Sequence, residues 1–315
     1  MPSAEEAAAP ATPRVRHLAL IGPTAAGKTD LAVEVATSLG DIEIVMADAM
    51  CVYRGMDIGT AKPSAAQQAE VPHHLVDVAA PSEDFSIAQF QRSAATALRE
   101  IEARGNRALV VGGSGLYVRA VVDGLSPPPQ FPDTRAQLEA EPDTARLHAR
   151  LADLDPDAAA RMQPTNRRRV LRALEVTLGG GRPFSQHGSA LSEYGPTPFR
   201  QVGIWISRDE LAQRIADRYR EQIDAGFLEE VAQLDELDPP LSRTAAQALG
   251  YKELLEHLHG RVALDEALET AVSRTRAFAR RQRVWFRRDP RITWIGASDG
   301  PRTLLPALLG DWARR

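Results

Sequence analysis

Residues 17–29, HLALIGPTAAGKT, constrain this chain more than any other stretch. Residues 18–21 are uninterrupted apolar positions, the pattern of a short buried strand. The eight residues that follow, Gly22, Pro23, Thr24, Ala25, Ala26, Gly27, Lys28 and Thr29, match G-x-x-x-x-G-K-[ST] at every fixed position. Each residue type has a physical task. Glycines let the backbone curl so that several N–H groups face a bound phosphate, and the helix that starts here adds the positive end of its dipole. Lys28 can neutralise a terminal phosphate, and the Thr29 hydroxyl can ligate Mg²⁺. Leu31, Val35 and Leu39 then recur every fourth residue, so residues 30–39 read as an amphipathic helix. A strand, a glycine loop and a helix in this order place a phosphate or diphosphate at the loop of an α/β fold.

The rest of the chain repeats the alternation. Residues 42–47 read as a second strand that delivers Asp48 at its C-terminal end, beside the phosphate loop if the sheet is parallel. By itself Asp48 is either a turn aspartate or a functional carboxylate, a general base or a metal-shell ligand. A loop carrying DIGTAKP spans 50–63, and HHLVDV reads as a short strand. Residues 86–103 have helical spacing, with Ile87, Phe90, Ala94, Ala97 and Ile101 near one face. The apolar run 108–111 ends in Gly112-Gly113-Ser114, where a motor ATPase carries an acid that holds Mg²⁺. That substitution counts against an ATP-hydrolysing switch.

The proline run at 127–132 marks the start of an insertion, helical over 133–178, with 184–200 as a loop. Strand character returns at 201–206 and 292–295; the first is followed by a helix carrying Leu211, Ile215, Tyr219, Ile223 and, beyond Gly226, Val231 and Leu234, and further helical stretches cover 244–258, 263–288 and 302–313. The expected architecture is a phosphate-loop NTPase-like parallel sheet flanked by helices, built from 17–120 and 201–315, with a helical insertion domain at 121–200. Residues 1–16, rich in Ala, Pro and Glu, read as a disordered tail with no signal-peptide apolar block. No window offers the roughly 18–20 apolar residues of a membrane span. The single cysteine, Cys51, excludes an intramolecular disulfide and fits a cytoplasmic protein. No histidine, cysteine or carboxylate spacing resembles a metal site or a nucleophilic triad.

A net charge of −4 conceals two basic clusters. One is Arg167-Arg168-Arg169 with Arg172; the other places seven arginines between Arg274 and Arg288 with no acid before Asp289. At about 100° per residue, Arg276, Arg280, Arg283 and Arg287 form one stripe of a helix, and Arg274, Arg281 and Arg288 another. A solvated face is the plain alternative, but two arginine faces without acidic partners point to a polyanion. Arg214 and Arg218 share a face of their helix; they either pair with Asp217 or Glu221, or clamp a diphosphate opposite Lys28.

Taken together, GPTAAGKT, ADAMCVYRGMDIGTAKP, PHHLVDV, VGGSGLY, RALEV, LGYKE and RTRAFARRQRVWFRR resemble the tRNA dimethylallyltransferases (tRNA isopentenyltransferases, the IPP transferase family) over residues 17–295. The resemblance implies transfer of a dimethylallyl group from dimethylallyl diphosphate to N6 of adenine 37, beside the tRNA anticodon. It also implies Mg²⁺ and release of diphosphate. By motif match, Asp48 accepts the N6 proton and Thr29 holds Mg²⁺ and orients the reacting groups. Residues 22–29 and Arg218 bind the diphosphate. The implied tRNA contacts are Asp48, Ala49, Met50, Cys51, Ser114, Arg135, Arg168, Arg169, Val170, Leu171 and Arg172. Gln247, Gly250, Tyr251 and Lys252 join them by the same match, and Arg280 and Arg283 from the arginine helix. Three positions depart from the commonest family pattern: Ala49 in place of Ser, Cys51 in place of Gln, and Ser114 in place of Thr. Cys51 lacks an amide for hydrogen bonding a flipped base.

The reading is a cytoplasmic, monomeric, Mg²⁺-dependent prenyltransferase that grips an anticodon stem-loop. Its rivals are a prenyltransferase using free adenine nucleotides, a small-molecule kinase, and an RNA-binding protein with a structural nucleotide. A phosphate loop alone satisfies the kinase; two arginine clusters favour RNA.

Overall fold

The computed structural model describes residues 16–125, 127–187, 193–297 and 300–313; of the expected N-terminal tail, residues 1–15 lie outside the described residues. Two compact units result: one from the residues up to Gly124 and from Pro196 onward, the other Leu125–Gly195.

The larger unit is built on a six-stranded sheet in the order β3-β2-β4-β1-β5-β6, with every pair parallel. Its strands are β1 (His17–Ile21), β2 (Ile42–Ala47), β3 (His73–His74), β4 (Arg107–Gly112), β5 (Phe199–Trp205) and β6 (Ile292–Gly296). β1, β2 and β4 carry mostly Ile, Val, Leu and Ala and are buried apart from the half-buried Arg107 that opens β4, as a sheet covered on both faces requires. Around them run α1 (Lys28–Leu39), α2 (Ala65–Glu70), α3 (Ile87–Ala103) and α4 (Gly115–Val122). Ser86 closes a capping box on α3, whose Phe90, Ala94, Ala97 and Ile101 enter the core at the predicted positions.

In the smaller unit, α5 (Pro132–Glu139), α6 (Thr144–Leu154), α7 (Pro156–Ala160) and α8 (Arg167–Gly180) surround their own core of Leu138, Leu147, Leu151, Val170, Leu171 and Leu174. Asp155 caps α7 through the Ala158 N–H at 3.1 Å and accepts the Ser185 N–H at 2.7 Å, tying the turn after α8 back to α7. The larger unit then resumes with α9 (Arg208–Asp224), α10 (Phe227–Asp235), α11 (Tyr251–Leu258), α12 (Leu264–Phe286) and α13 (Leu305–Trp312).

Three expectations need correction. HHLVDV holds a strand of only two residues, because Leu75 and Asp77 take left-handed conformations (φ 65° and 57°) that no strand continues through. Residues 244–258 are not one helix: a 3₁₀ turn at Ala245–Gln247 ends where Ala248 turns extended (ψ 143°), and α11 begins afresh. The stretch 184–200 contains a 3₁₀ turn at Phe184–His187 and the start of β5 at Phe199; residues 188–192 lie outside the described residues.

A buried histidine links β1 to this frame. The Ala108 N–H donates to Nδ1 of His17 at 3.1 Å, so Nε2 carries the proton and donates to Glu102 at 2.9 Å. Burial holds the imidazole below its ordinary 6.5, against the opposing pull of Glu102. Above that pH both folded and unfolded states are neutral here. Below it, the unfolded chain takes up a proton that the folded chain refuses, so stability falls by up to about 1.4 kcal/mol per pH unit until the folded group titrates. The melting midpoint is expected to drop as pH falls below 6.5, and His17→Gln to flatten that drop. An equal slope in the variant would show that other groups govern acid stability.

Candidate active site

The loops at the carboxyl ends of β1, β2 and β4 build the site. After β1, left-handed backbone at Ala25 (φ 61°) and Gly27 (φ 71°) curls the loop, the backbone form that a phosphate-cradling loop uses. Ala25 holds this conformation at a cost of about 1–2 kcal/mol relative to ordinary backbone, strain of the kind found at ligand sites. The first turn of α1 then presents Lys28 and Thr29. The Lys28 ammonium donates to the Pro23 carbonyl at 2.7 Å. Burial pushes its pKa down to about 8, with Asp48 pulling it up and Arg218 adding to the depression. These three charges therefore share one neighbourhood.

Arg218 reaches the loop from α9, donating to the Thr24 hydroxyl at 3.2 Å and to the Gly59 carbonyl at 3.4 Å. Arg214, one turn earlier, is paired with Glu210 at 2.8 Å. Of the two arginines considered as a clamp, only Arg218 faces the loop. Asp48 sits at the end of β2, its Oδ1 accepting the Met50 N–H at 2.8 Å and the Cys51 N–H at 3.4 Å. Its Oδ2 makes no hydrogen bond among the described residues.

The DIGTAKP loop is held from beneath by a residue that its own sequence gave no reason to notice. Glu230 of α10 accepts the N–H groups of Asp57 (2.9 Å), Ile58 (2.7 Å) and Gly59 (3.2 Å) and the Tyr251 hydroxyl (2.6 Å). Lys62, its side chain 3% exposed, closes the loop on Asp57, Asp77 and the Tyr53 carbonyl.

A second unforeseen residue is Gln282, 5% exposed and near the C-terminal end of the arginine helix α12. Its Oε1 accepts the Thr24 N–H at 3.0 Å and its Nε2 donates to the Gly113 carbonyl at 2.8 Å. One amide thus joins the phosphate loop to the turn after β4. The glycines there are required by this approach: a Cβ on Gly113 meets Gln282 Nε2 at 2.6 Å, and one on Gly115 overlaps the Trp285 indole. Gln282→Glu keeps the acceptor for Thr24 but turns the donor to Gly113 into a repelling oxygen. Affinity for inorganic diphosphate, measured by calorimetric titration, should weaken by about 10-fold, the worth of roughly one buried hydrogen bond to the loop. Unchanged affinity would mean that the bridge does not shape the loop.

A model of the IPP transferase family matches residues 51–289. The chain belongs to the IPP transferase family. It is 46% identical over 303 residues to a tRNA dimethylallyltransferase of Streptomyces coelicolor, with 95% of this chain and 96% of that protein covered. Among solved structures, it is similar to the full-length tRNA isopentenylpyrophosphate transferase of Bacillus halodurans. Identity to that protein is 37% and the TM-score 0.70, over 95% of this chain and 96% of that one. It is also similar to the tRNA delta(2)-isopentenylpyrophosphate transferase of Staphylococcus epidermidis, at 31% identity and a TM-score of 0.69, over 95% and 100% of the two chains.

Within this IPP transferase fold, the residues expected to face RNA differ in exposure. Arg168, Arg169, Gln247, Lys252 and Arg280 are exposed, and Ala49, Met50, Ser114 and Arg283 are half-buried. Val170 and Leu171 are core residues of the helical unit, while Cys51, Gly250 and Tyr251 are buried in the larger one, so the side chains of Val170, Leu171, Cys51 and Tyr251 are not at the surface. Cys51 packs under the site, and burial pushes its thiol well up from its ordinary value. Arg135 is engaged with Glu139 at 2.8 Å; Arg172 is engaged with Glu175 at 2.7 Å and with the Pro128 carbonyl at 2.6 Å. The expectation that both faces of α12 lack acidic partners is also corrected. Arg274 forms an ion pair with the buried Glu253 of α11, and Arg276 donates to the Ala212 carbonyl at 3.1 Å.

Proposed function

We propose that this chain transfers a dimethylallyl group from dimethylallyl diphosphate to N6 of adenine 37 in tRNAs that read U-starting codons, releasing diphosphate. The observation that carries the reading is the meeting of Lys28, Arg218 and Asp48: two cations at a phosphate cradle beside a carboxylate with an unengaged oxygen. An exocyclic adenine amine is a poor nucleophile until a base shares its proton. As N6 bonds to C1 of the dimethylallyl group, the C1–O bond breaks, the electron pair leaves with diphosphate, and the N6 proton passes to Asp48 Oδ2. Lys28, the loop amides and Arg218 bind the leaving group and stabilise the charge that grows on it. The reacting base enters flipped out of its stack.

Mg²⁺ belongs to this proposal. The donor present, the Thr29 hydroxyl, is a hard oxygen of the kind that holds Mg²⁺ alongside phosphate and water oxygens. Among the described residues no group of three or more His, Cys, Asp or Glu side chains forms a metal cage. When bound, the ion neutralises diphosphate oxygens. The protein acts as a cytoplasmic monomer; among the described residues no helix is long and apolar enough to cross a membrane.

A kinase reading is disfavoured because a phosphate loop alone would satisfy it, whereas this chain also exposes arginines such as Arg168, Arg169 and Arg280. The test offers dimethylallyl-labelled donor together with tRNA, AMP or neither. Label is expected in tRNA alone and only with Mg²⁺. Label on AMP would move the acceptor to free nucleotides.

A further inference from the structure

Arg218 is aimed by two contacts, one on each terminal nitrogen of its guanidinium. Nη1 donates to the Thr24 hydroxyl of the phosphate loop at 3.2 Å, and Nη2 to the Gly59 carbonyl of the DIGTAKP loop at 3.4 Å. Gln222, one turn further along α9, donates to the same carbonyl at 3.2 Å and also to that of Ile58. The other arginines nearby on α9, Arg214 and Arg220, are tied to Glu210 and Asp217. Arg218 has no ion pair among the described residues, so no carboxylate orients it. A guanidinium carries five N–H donors in a rigid fork; two fixed contacts set its plane and leave donors for a ligand.

A loop carbonyl orients a side chain only as well as its own peptide is held. Here the peptides of residues 57–59 are held by Glu230. Its Oε2 accepts the N–H groups of Asp57 and Ile58, and its Oε1 accepts the Gly59 N–H and the Tyr251 hydroxyl. Four donors use the whole accepting capacity of one carboxylate. Three successive N–H groups turned to one point make a concavity that suits an anion, and the protein's own carboxylate fills it. Two rings press on the same peptide. Phe227 and Tyr251 meet edge to face with centroids 4.9 Å apart, and a Cβ on Gly59 would lie 2.2 Å from the first and 2.5 Å from the second. With its N–H on Glu230 and rings against its Cα, Gly59 has its carbonyl fixed toward Arg218 and Gln222.

We propose that Glu230, backed by the Tyr251 hydroxyl, is a positioning residue for diphosphate binding: by fixing residues 57–59 it sets the Gly59 carbonyl that aims Arg218 at the diphosphate. The proposal rests on the diphosphate reading of the phosphate loop given above and adds a residue that acts only through another. It gives the buried Tyr251 a task in the interior, and it links α10 and α11 to the binding of the leaving group.

The test is a double-mutant cycle on the affinity of the full chain for inorganic diphosphate, measured by calorimetric titration. Arg218→Gln should weaken binding by about 10–100-fold, the worth of a hydrogen bond to a charged group. Glu230→Gln keeps the size of the side chain but turns an amide NH₂ toward donors, and should weaken binding by about 10-fold when Arg218 is present. In the Arg218→Gln background the same change should cost nothing further, because the group that it aims is gone. Equal losses in both backgrounds would show that Glu230 acts independently of Arg218 and would overturn the proposal. Wild-type affinity in Glu230→Gln, with or without a lower melting midpoint, would overturn it too, leaving Glu230 a merely structural anchor. Tyr251→Phe removes one hydroxyl and no bulk, and decides the matter if Glu230→Gln does not fold. Its loss should be about 3-fold and should again vanish without Arg218. Wild-type protein that binds no diphosphate would sink the diphosphate reading itself, whereas wild-type binding with additive losses sinks this proposal alone.

Discussion

Replacing Asp48 with Asn should lower kcat by about 10²–10⁴-fold, the usual worth of a positioned general base, while tRNA and donor bind almost as before. Asparagine is the informative substitution because its side-chain oxygen can still accept the Met50 and Cys51 N–H groups that fix Asp48. The turn after β2 therefore survives, and only the capacity to take a proton is lost. Asp48→Ala would remove the turn's hydrogen bonds as well and confuse the two effects. Single-turnover rates with prebound tRNA separate chemistry from product release. A near-normal rate in Asp48→Asn would end the general-base assignment.

The second large effect belongs to Lys28. Lys28→Met should cost about 10²–10³-fold in kcat, the range seen when one donor to a developing oxyanion is removed. The wild-type enzyme should also report this residue through pH. Burial pushes the Lys28 pKa down to about 8, so the free enzyme loses the charge as pH rises through that value. The kcat/KM for the donor should therefore fall on the alkaline side with an apparent pKa near 8, since that ratio reports groups of the free enzyme. Lys28→Arg keeps its charge throughout this range, so its profile should lie lower but stay flat. An alkaline limb that persists in Lys28→Arg would assign the titration to another group.

What the sequence disclosed and what it hid follow from the range of the interactions. The phosphate loop, the strand that ends at Asp48 and the amphipathic face of α3 are local patterns, and each appears where its periodicity placed it. Gln282 and Glu230 act at a distance: Gln282 bonds to residues 258 and 169 positions away, and Glu230 to loop amides more than 170 positions away as well as to Tyr251. Nothing near either residue announces a partner. The same reason explains Arg274, whose acid lies on the preceding helix rather than on its own. Charge counting along one helix sees only intrahelical neighbours. β3 is shorter than its apolar composition suggests, because composition cannot reveal the left-handed turns at Leu75 and Asp77. One clue was available for Gln282: it is an uncharged side chain inside a run of arginines, flanked at helical spacing by Ala279 and Phe286, both buried. That pattern marks an inward face on a helix otherwise given to solvent.

The most direct measurement offers labelled dimethylallyl diphosphate and Mg²⁺ to two tRNAs that differ only at position 37, one with adenine and one with guanine. Nuclease digestion of the product then locates the label. The account predicts label in the adenine-37 tRNA alone, recovered as N6-dimethylallyladenosine, with Asp48→Asn giving almost none. Label in the guanine-37 tRNA, label at another adenine, or no transfer to a tRNA that the protein demonstrably binds would contradict it.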